Sequence, residues 1–217
     1  MKHLFVPATS SITFSFNKIK PNLLPKAIAL ISTVQFLPAL PKLKSYLEKQ
    51  GKQIIIKNNG QILGCNTFNA TSIQDKIQAF LYIGSGKFHP LAIAVSLKKP
   101  KPIFLYNPNT GEFSKLEDTE IIKVLARKKT AKIKFLSAKT LGILASTKPG
   151  QERLRQAEKL KATLEKQGKK VYIFMFNDFD INQLENFPQV ECWINSACPG
   201  FSLEHPFIWI DDVNKKD

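Results

Sequence analysis

The stretch Ala27-Ile28-Ala29-Leu30-Ile31-Ser32-Thr33-Val34 is apolar at six of its eight positions and shows no polar alternation. A strand wetted on one face alternates, whereas one covered on both faces, as in a parallel sheet between helices, does not. The stretch therefore predicts a buried parallel strand. An amphipathic helix is expected over 38–50, with Gly51 placed to cap its C-terminus.

Working outward, a short strand over 53–56 leads into the loop Gly60-Gln61-Ile62-Leu63-Gly64-Cys65, and a strand over 79–83 ends at Gly84-Ser85-Gly86. A short helix over 89–97 and a strand over 102–106 follow, then the turn Asn107-Pro108-Asn109-Thr110-Gly111. The second half repeats the scheme. A long basic helix over 119–136 precedes a strand over 140–145, and Ser146-Thr147-Lys148-Pro149-Gly150 turns the chain into a helix over 151–167 that Gly168 stops. Strands are expected over 170–175, 192–195 and 208–210. Strand, helix and strand at this spacing imply right-handed βαβ units. The fold class is α/β, two tandem Rossmann-like lobes with parallel sheets flanked by helices, covering 26–115 and 116–217. Residues 1–25 contain Pro7, Pro21 and Pro25, lack helical periodicity, and read as an extended arm.

The chain has 217 residues, 43% hydrophobic and 23% charged, which excludes a disordered polymer and provides for a real core. The most apolar region, 27–41, is broken by Gln35 and Pro38 and falls short of the roughly 20 apolar residues of a membrane-spanning helix. A Ser/Thr-rich run follows the first basic residues where a secretory signal would have an apolar block, so a cytoplasmic protein without a membrane role is expected. Three cysteines are too few for a disulfide scaffold, and the thiols are read as free, buried or metal-bound. The formal net charge is +15, and 117–170 alone carries fifteen basic against six acidic side chains. That stretch is either a solvated face or a docking face for RNA or an RNA-associated protein.

Ligands of parallel α/β sheets gather at the carboxyl ends of strands. Four loops occupy such positions: 60–65, 84–90, 146–151 and 195–200. Cys65 and Cys198 thus sit one per lobe on corresponding edges. Each alone reads as a small buried hydrophobe, and together they read as soft-metal or iron-sulfur ligands that need further ligands to close a site. Cys192 falls within a strand and reads as core. The turns at Gly84-Ser85-Gly86 and Lys148-Pro149-Gly150 lead into helices, where free amides can hold a carboxylate or phosphate or simply turn the chain. His89 is a ligand, an acid/base or a capping residue, and His3 and His205 have no such context.

Taken in order, Ser32-Thr33-Val34-Gln35, Gly60 to Cys65, Gly86-Lys87-Phe88-His89-Pro90, Ser146 to Gln151, and Asn195-Ser196-Ala197-Cys198-Pro199 resemble the motifs of the 2-(3-amino-3-carboxypropyl)histidine synthases of diphthamide synthesis. The resemblance runs from about 27 to 205. It implies three similar α/β domains, each giving one cysteine to a 4Fe-4S cluster. The cluster binds S-adenosylmethionine so that cleavage releases a 3-amino-3-carboxypropyl radical for a histidine of archaeal or eukaryotic elongation factor 2.

On this resemblance Cys65 and Cys198 are metal ligands, and Gly84, Ser85, Gly86, His89, Ser146, Lys148, Gly150 and Gln151 are cofactor-binding. The two lobes match the family's second and third domains, and the first is expected to be absent. Two departures stand out: Gly200 follows Cys198-Pro199 where the family has an arginine, and Phe207-Ile208-Trp209-Ile210 replaces a Pro-Leu-Asn-Pro type of ending. Three readings follow. The chain is a subunit of a split transferase sharing its cluster with a partner or homologous subunit that supplies the third cysteine. It is instead an inert accessory binding elongation factor, a partner subunit or RNA. Or it holds zinc through two cysteines and His89, with a fourth ligand unidentified.

Overall fold

The apolar run does form a strand, β1 (Ala27–Ser32), and Ile28, Ala29, Leu30 and Ile31 are all buried. Alternate residues supply two cores. Ile28 and Leu30 join one apolar cluster, Ala29 and Ile31 another, so both faces of the sheet are covered. The computed structural model describes residues 4, 6, 8–11 and 15–213. Its two compact units comprise residues 1–121 and 122–217.

The first unit continues through α1 (Leu40–Lys49), β2 (Gln53–Ile55), the one-turn α2 (Phe68–Thr71), β3 (Ala79–Ile83), α3 (Phe88–Ala94), β4 (Ile103–Asn107) and β5 (Glu112–Lys115). Helix α1 starts two residues later than expected, because Val34–Ala39 winds as a 3-10 helix around Pro38. A proline ring in that turn offers no N–H to an α-type bond. Leu40, Leu43 and Leu47 then share the buried face of α1, and Gly51, at φ +78°, ends it.

The sheet order is β2-β1-β3-β4-β5, and the first four strands are parallel. The expected wholly parallel sheet needs one correction, since β5 pairs antiparallel with β4. Gly111 at φ +70° closes the connecting turn by donating to the carbonyl of Asn107 at 2.7 Å, and Phe113 stacks on Phe104 at 5.9 Å. Within the segment read as an arm, Ile19 and Leu24 are buried in the core against α1, and Tyr106 donates its hydroxyl to the carbonyl of Ser15. Residues 1–3, 5, 7 and 12–14 of that segment lie outside the described residues.

Helix α4 (Asp118–Ser137) crosses from the first unit into the second, which holds β6 (Thr140–Ser146), α5 (Leu154–Lys166), β7 (Lys170–Phe176), β8 (Cys192–Asn195), α6 (Pro199–Glu204) and β9 (Ile208–Trp209). The sheet order is β7-β6-β8-β9, all parallel. Leu141, Ile143, Val171 and Ile194 form one core with Ala131 and Phe135 of α4 and Leu160 and Leu164 of α5. The intervening residues raise an aromatic layer: Phe174 lies 4.9 Å from Trp193 and 4.6 Å from Phe187. Gly142 leaves room for it, because a Cβ there would stand 2.4 Å from the indole of Trp193.

Two expectations for this half are corrected. Helix α5 begins at Leu154 instead of 151, because Gln151 donates back to the carbonyl of Lys148 at 3.0 Å and Arg153 has non-helical dihedrals. Helix α4 is basic but not uniformly so: Ile122, Leu125, Ile133 and Leu136 are exposed on it.

Candidate functional site

In the first unit the loop carrying Cys65 is fastened to the end of β1. Ile62 donates to the carbonyl of Ser32 at 2.9 Å, and the buried Ser32 hydroxyl donates to the carbonyl of Ile83 at 2.8 Å, tying the ends of β1 and β3 together. Leu63 and Asn66 exchange backbone hydrogen bonds of 3.2 and 3.0 Å, a tight turn with Cys65 exposed at its tip. Two glycines permit this path. Gly60, at φ +76°, passes so close that a Cβ would meet Leu40 at 2.7 Å, and a Cβ on Gly64 would stand 2.2 Å from the ring of Phe88. Phe88 opens α3 and so backs the turn directly.

Strand β3 ends in a second tight passage. Gly84 donates to the carbonyl of Tyr106 at 3.1 Å and lies under the Tyr82 hydroxyl, where a Cβ would be only 2.4 Å away. Ser85 and Gly86 are exposed, the latter at φ +71°. Burial pushes the Tyr82 phenol up to about 12, against the opposing effect of a hydrogen bond with Thr33. His89 stacks on Tyr82 at 6.2 Å and meets Phe88 edge-on at 4.9 Å; burial lowers its pKa, favouring the neutral ring. Lys87 pairs with Glu120 at 3.1 Å.

The second unit presents its own turns. Ser146 is buried, and its hydroxyl accepts from the amide of Lys148 at 3.1 Å, while Lys148 pairs with Asp178 and holds that carboxyl below its ordinary range. Gly150 is exposed at φ +80° and Gln151 is half-buried. Asn195, wholly buried, wires the turn after β8. Its Oδ1 accepts from Ala197 N at 3.0 Å, and its Nδ2 donates to Cys198 O at 2.6 Å and to Ser202 Oγ at 3.0 Å. Cys198 is thereby set as the half-exposed N-cap of α6, which also contains Gly200, and Phe201 of this helix stacks on Phe179 at 4.5 Å.

The three thiols thus differ in kind. Cys192, 2% exposed within β8, has its pKa pushed up to about 11 by burial, against the pull of Lys134 and Lys169. A metal ligand must be a thiolate, so this site disfavours that role. Cys65 and Cys198 are accessible sulfur donors on strand-end turns, and soft thiolates suit iron-sulfur chemistry. Among the described residues no three or more His, Cys, Asp or Glu side chains gather as a metal site. His89 is engaged with two aromatic rings, and nothing in its surroundings supports the zinc reading.

Two residues outside the motifs, Tyr82 and Arg153, and one within them, Phe88, also shape these turns. Arg153 pairs with Asp211 at 2.9 Å and lies 5.0 Å over the ring of Trp209, fastening the C-terminal segment to the start of α5. Its signal was the Trp209-Ile210-Asp211 triplet, an aromatic and a carboxylate spaced to take one guanidinium. His3 lies outside the described residues.

Two α/β units with parallel-dominated sheets, each with an accessible thiol on a strand-end turn, define the class. Residues 1–209 match the family model of diphthamide synthesis proteins, and the chain belongs to that family. It is 32% identical to 2-(3-amino-3-carboxypropyl)histidine synthase of Pyrococcus horikoshii, over 95% of this chain and 61% of the relative. To subunit 1 of the synthase of Caenorhabditis elegans it is 27% identical, over 94% of this chain and 52% of the relative. Two crystal structures of Dph2 from Pyrococcus horikoshii share the fold. One superposes with TM-score 0.77 at 29% identity, covering 98% of this chain and 66% of that one. The other, which contains a 4Fe-4S cluster, gives 0.72 at 30% identity, covering 88% and 57%. The chain therefore spans about two-fifths to three-fifths of the length of the curated relatives it matches. Among the described residues no helix is long and apolar enough to cross a membrane.

Proposed function

We propose that this chain is one part of a split 2-(3-amino-3-carboxypropyl)histidine synthase, taking the first step of diphthamide synthesis on elongation factor 2 in the cytoplasm. The observation that carries the reading is the partition of the thiols: one accessible cysteine on a strand-end turn in each unit, Cys65 and Cys198, and the third buried in a sheet. In this reading the units, 26–115 and 116–217, correspond to the family's second and third domains, and the segment before them packs onto the first unit through Ile19 and Leu24. Cys65 and Cys198 are two ligands of a 4Fe-4S cluster, and a partner chain or homologous subunit supplies a third. When bound, such a cluster provides a site for S-adenosylmethionine and the electron that frees its 3-amino-3-carboxypropyl group.

The chain's own residues bind and orient. Gly84, Lys148 and Gln151 already spend their amides inside the turns, which leaves the amides of Ser85 and Gly86 in the first unit, and that of Gly150 in the second, as each unit's own candidates for holding a carboxylate. His89, Ser146, Lys148 and Gln151 shape the same turns, and neutral His89 offers a polar edge without competing positive charge. With Gly200 where the family has arginine, one charge-assisted hydrogen bond, worth roughly 1.5–3 kcal/mol, is missing from this chain. That position favours the second reading, an accessory subunit that keeps the fold and the partner contacts without turnover.

Anaerobic reconstitution with iron and sulfide, with and without a co-expressed chain bearing the missing domain, tests the proposal. Iron content should be low for the chain alone and rise with the partner. It should collapse in Cys65→Ala and Cys198→Ala and persist in Cys192→Ala. Equal, full loading of the single chain and its Cys65→Ala variant refutes the cluster assignment. Full loading of the pair without transfer to elongation factor 2 selects the accessory reading.

A further inference from the structure

Helix α4 buries one side and leaves an unusual opposite side. Val124, Ala131 and Phe135 face the core. Ile122, Leu125, Ile133 and Leu136 are 62%, 47%, 57% and 65% exposed. At about 100° per residue these four and Lys129 fall within an arc of about 80°, and at 1.5 Å per residue they run about 21 Å along the helix. Single exposed aliphatic residues are common, but four aligned on one helix form a continuous stripe of the kind that marks an interaction surface.

We propose that this stripe docks an acidic amphipathic helix of a partner protein, aliphatic residues meeting aliphatic residues and a carboxylate meeting Lys129. The inference concerns the surface of the second unit alone and stands whether or not a cluster is bound. The charges choose the occupant. Lys129 is exposed at the midpoint of the stripe, Lys132 borders it, the one acid on the same arc, Asp118, stands a turn before the first aliphatic residue at the start of α4, and the chain as a whole carries +15. Thr119, Ala126, Thr130 and Ser137 lie on the other flank, small enough for a close helical approach. A basic helix would be repelled at the centre.

A second copy fits the shape and fails on charge. Paired antiparallel through the same stripe, Ile122 would meet Leu136, Leu125 would meet Ile133, and Lys129 would meet its own copy on the two-fold axis. Like charges brought together as an interface loses water oppose that pairing, whereas a carboxylate in the same place completes it.

Two synthetic helical peptides with the same Leu/Ile stripe, one flanked by Glu and the other by Lys, test this by fluorescence anisotropy against the full chain. The Glu peptide should bind, weaken with added salt, and exceed the Lys peptide by about tenfold or more. Lys129→Glu should reverse that preference. Leu125→Gln combined with Ile133→Gln should weaken the Glu peptide by about tenfold, with an unchanged far-ultraviolet circular dichroism spectrum because both side chains are exposed. Equal affinity for the two peptides, no binding of either, or indifference to these substitutions overturns the proposal. So does a dimer in sedimentation that Leu125→Gln with Ile133→Gln dissociates, since it assigns the stripe to a second copy.

Discussion

The side-chain amide of Asn195 donates to the carbonyl of Cys198 at 2.6 Å, inside a turn where its Oδ1 also receives the amide of Ala197. One buried side chain thus replaces the backbone bonds that an irregular turn cannot make for itself. Asn195→Ala leaves Ala197 N, Cys198 O and Ser202 Oγ without that partner, at a cost of about 3 kcal/mol. Urea unfolding measures the loss, and iodoacetamide should modify Cys198 faster in the variant under native conditions.

The approach of Gly64 to Phe88 leads to a paired test. Gly64→Ala forces a methyl into the Phe88 ring and should destabilise by about 1–3 kcal/mol. Phe88→Leu in the Gly64→Ala background should recover most of that loss, giving a coupling energy in a double-mutant cycle. Additive effects would show that the turn relaxes away from the ring.

Burial of Cys192 makes stability depend on alkaline pH. Its thiol ionises near 9.0 in an unfolded chain and at about 11 in the fold. The unfolded state therefore releases its proton first, and stability present below pH 9 is lost as pH rises through 11, by about 2–3 kcal/mol in all. Cys192→Ala should flatten the decline between pH 9 and 10, before the Tyr82 phenol begins to contribute on its way to about 12. Denaturant midpoints across that interval check the slope independently of the cavity the substitution creates.

On the acid side the sign reverses for a base held neutral. Burial lowers the pKa of His89, so as pH falls below about 6.5 the unfolded chain takes up a proton that the folded chain resists. Stability present above pH 6.5 should decline there, and His89→Phe, which retains a ring against Tyr82 and Phe88, should remove that part of the decline. Nuclear magnetic resonance titration of the ring reads the same shift directly.

Legibility followed the size of the local signal. The unalternating run at 27–34 and the glycine stops at 51 and 168 carry their meaning within a few residues, and the strands and helices they imply are present. The hairpin to β5 was hidden because Glu112-Phe113-Ser114-Lys115 has one aromatic among polar residues, and its strand character comes from pairing with β4. The loops bearing Cys65 and Cys198 could be located from strand ends. The backing of Gly64 by Phe88, 24 residues on, could not, since such an approach exists only once α3 is packed. The stripe on α4 is obscured by its lysines, because charge dominates the local composition while spacing alone reveals the face.

Strand β7 closes its sheet on one side, pairing with β6 and with no other strand among the described residues. It is seven residues long, Lys-Val-Tyr-Ile-Phe-Met-Phe, with a single charge at its start and Met175 56% exposed. Lys161 covers the carbonyl of Val171 at one end, and beyond it such a rim offers amides and carbonyls along an apolar ladder, the template on which a foreign strand extends a sheet. Colloidal behaviour therefore separates from fold stability in this protein. The surplus of positive charge keeps molecules apart at low ionic strength, and salt that screens it lets rims meet, so a lysine at position 175 would extend the concentration at which the folded chain stays dispersed.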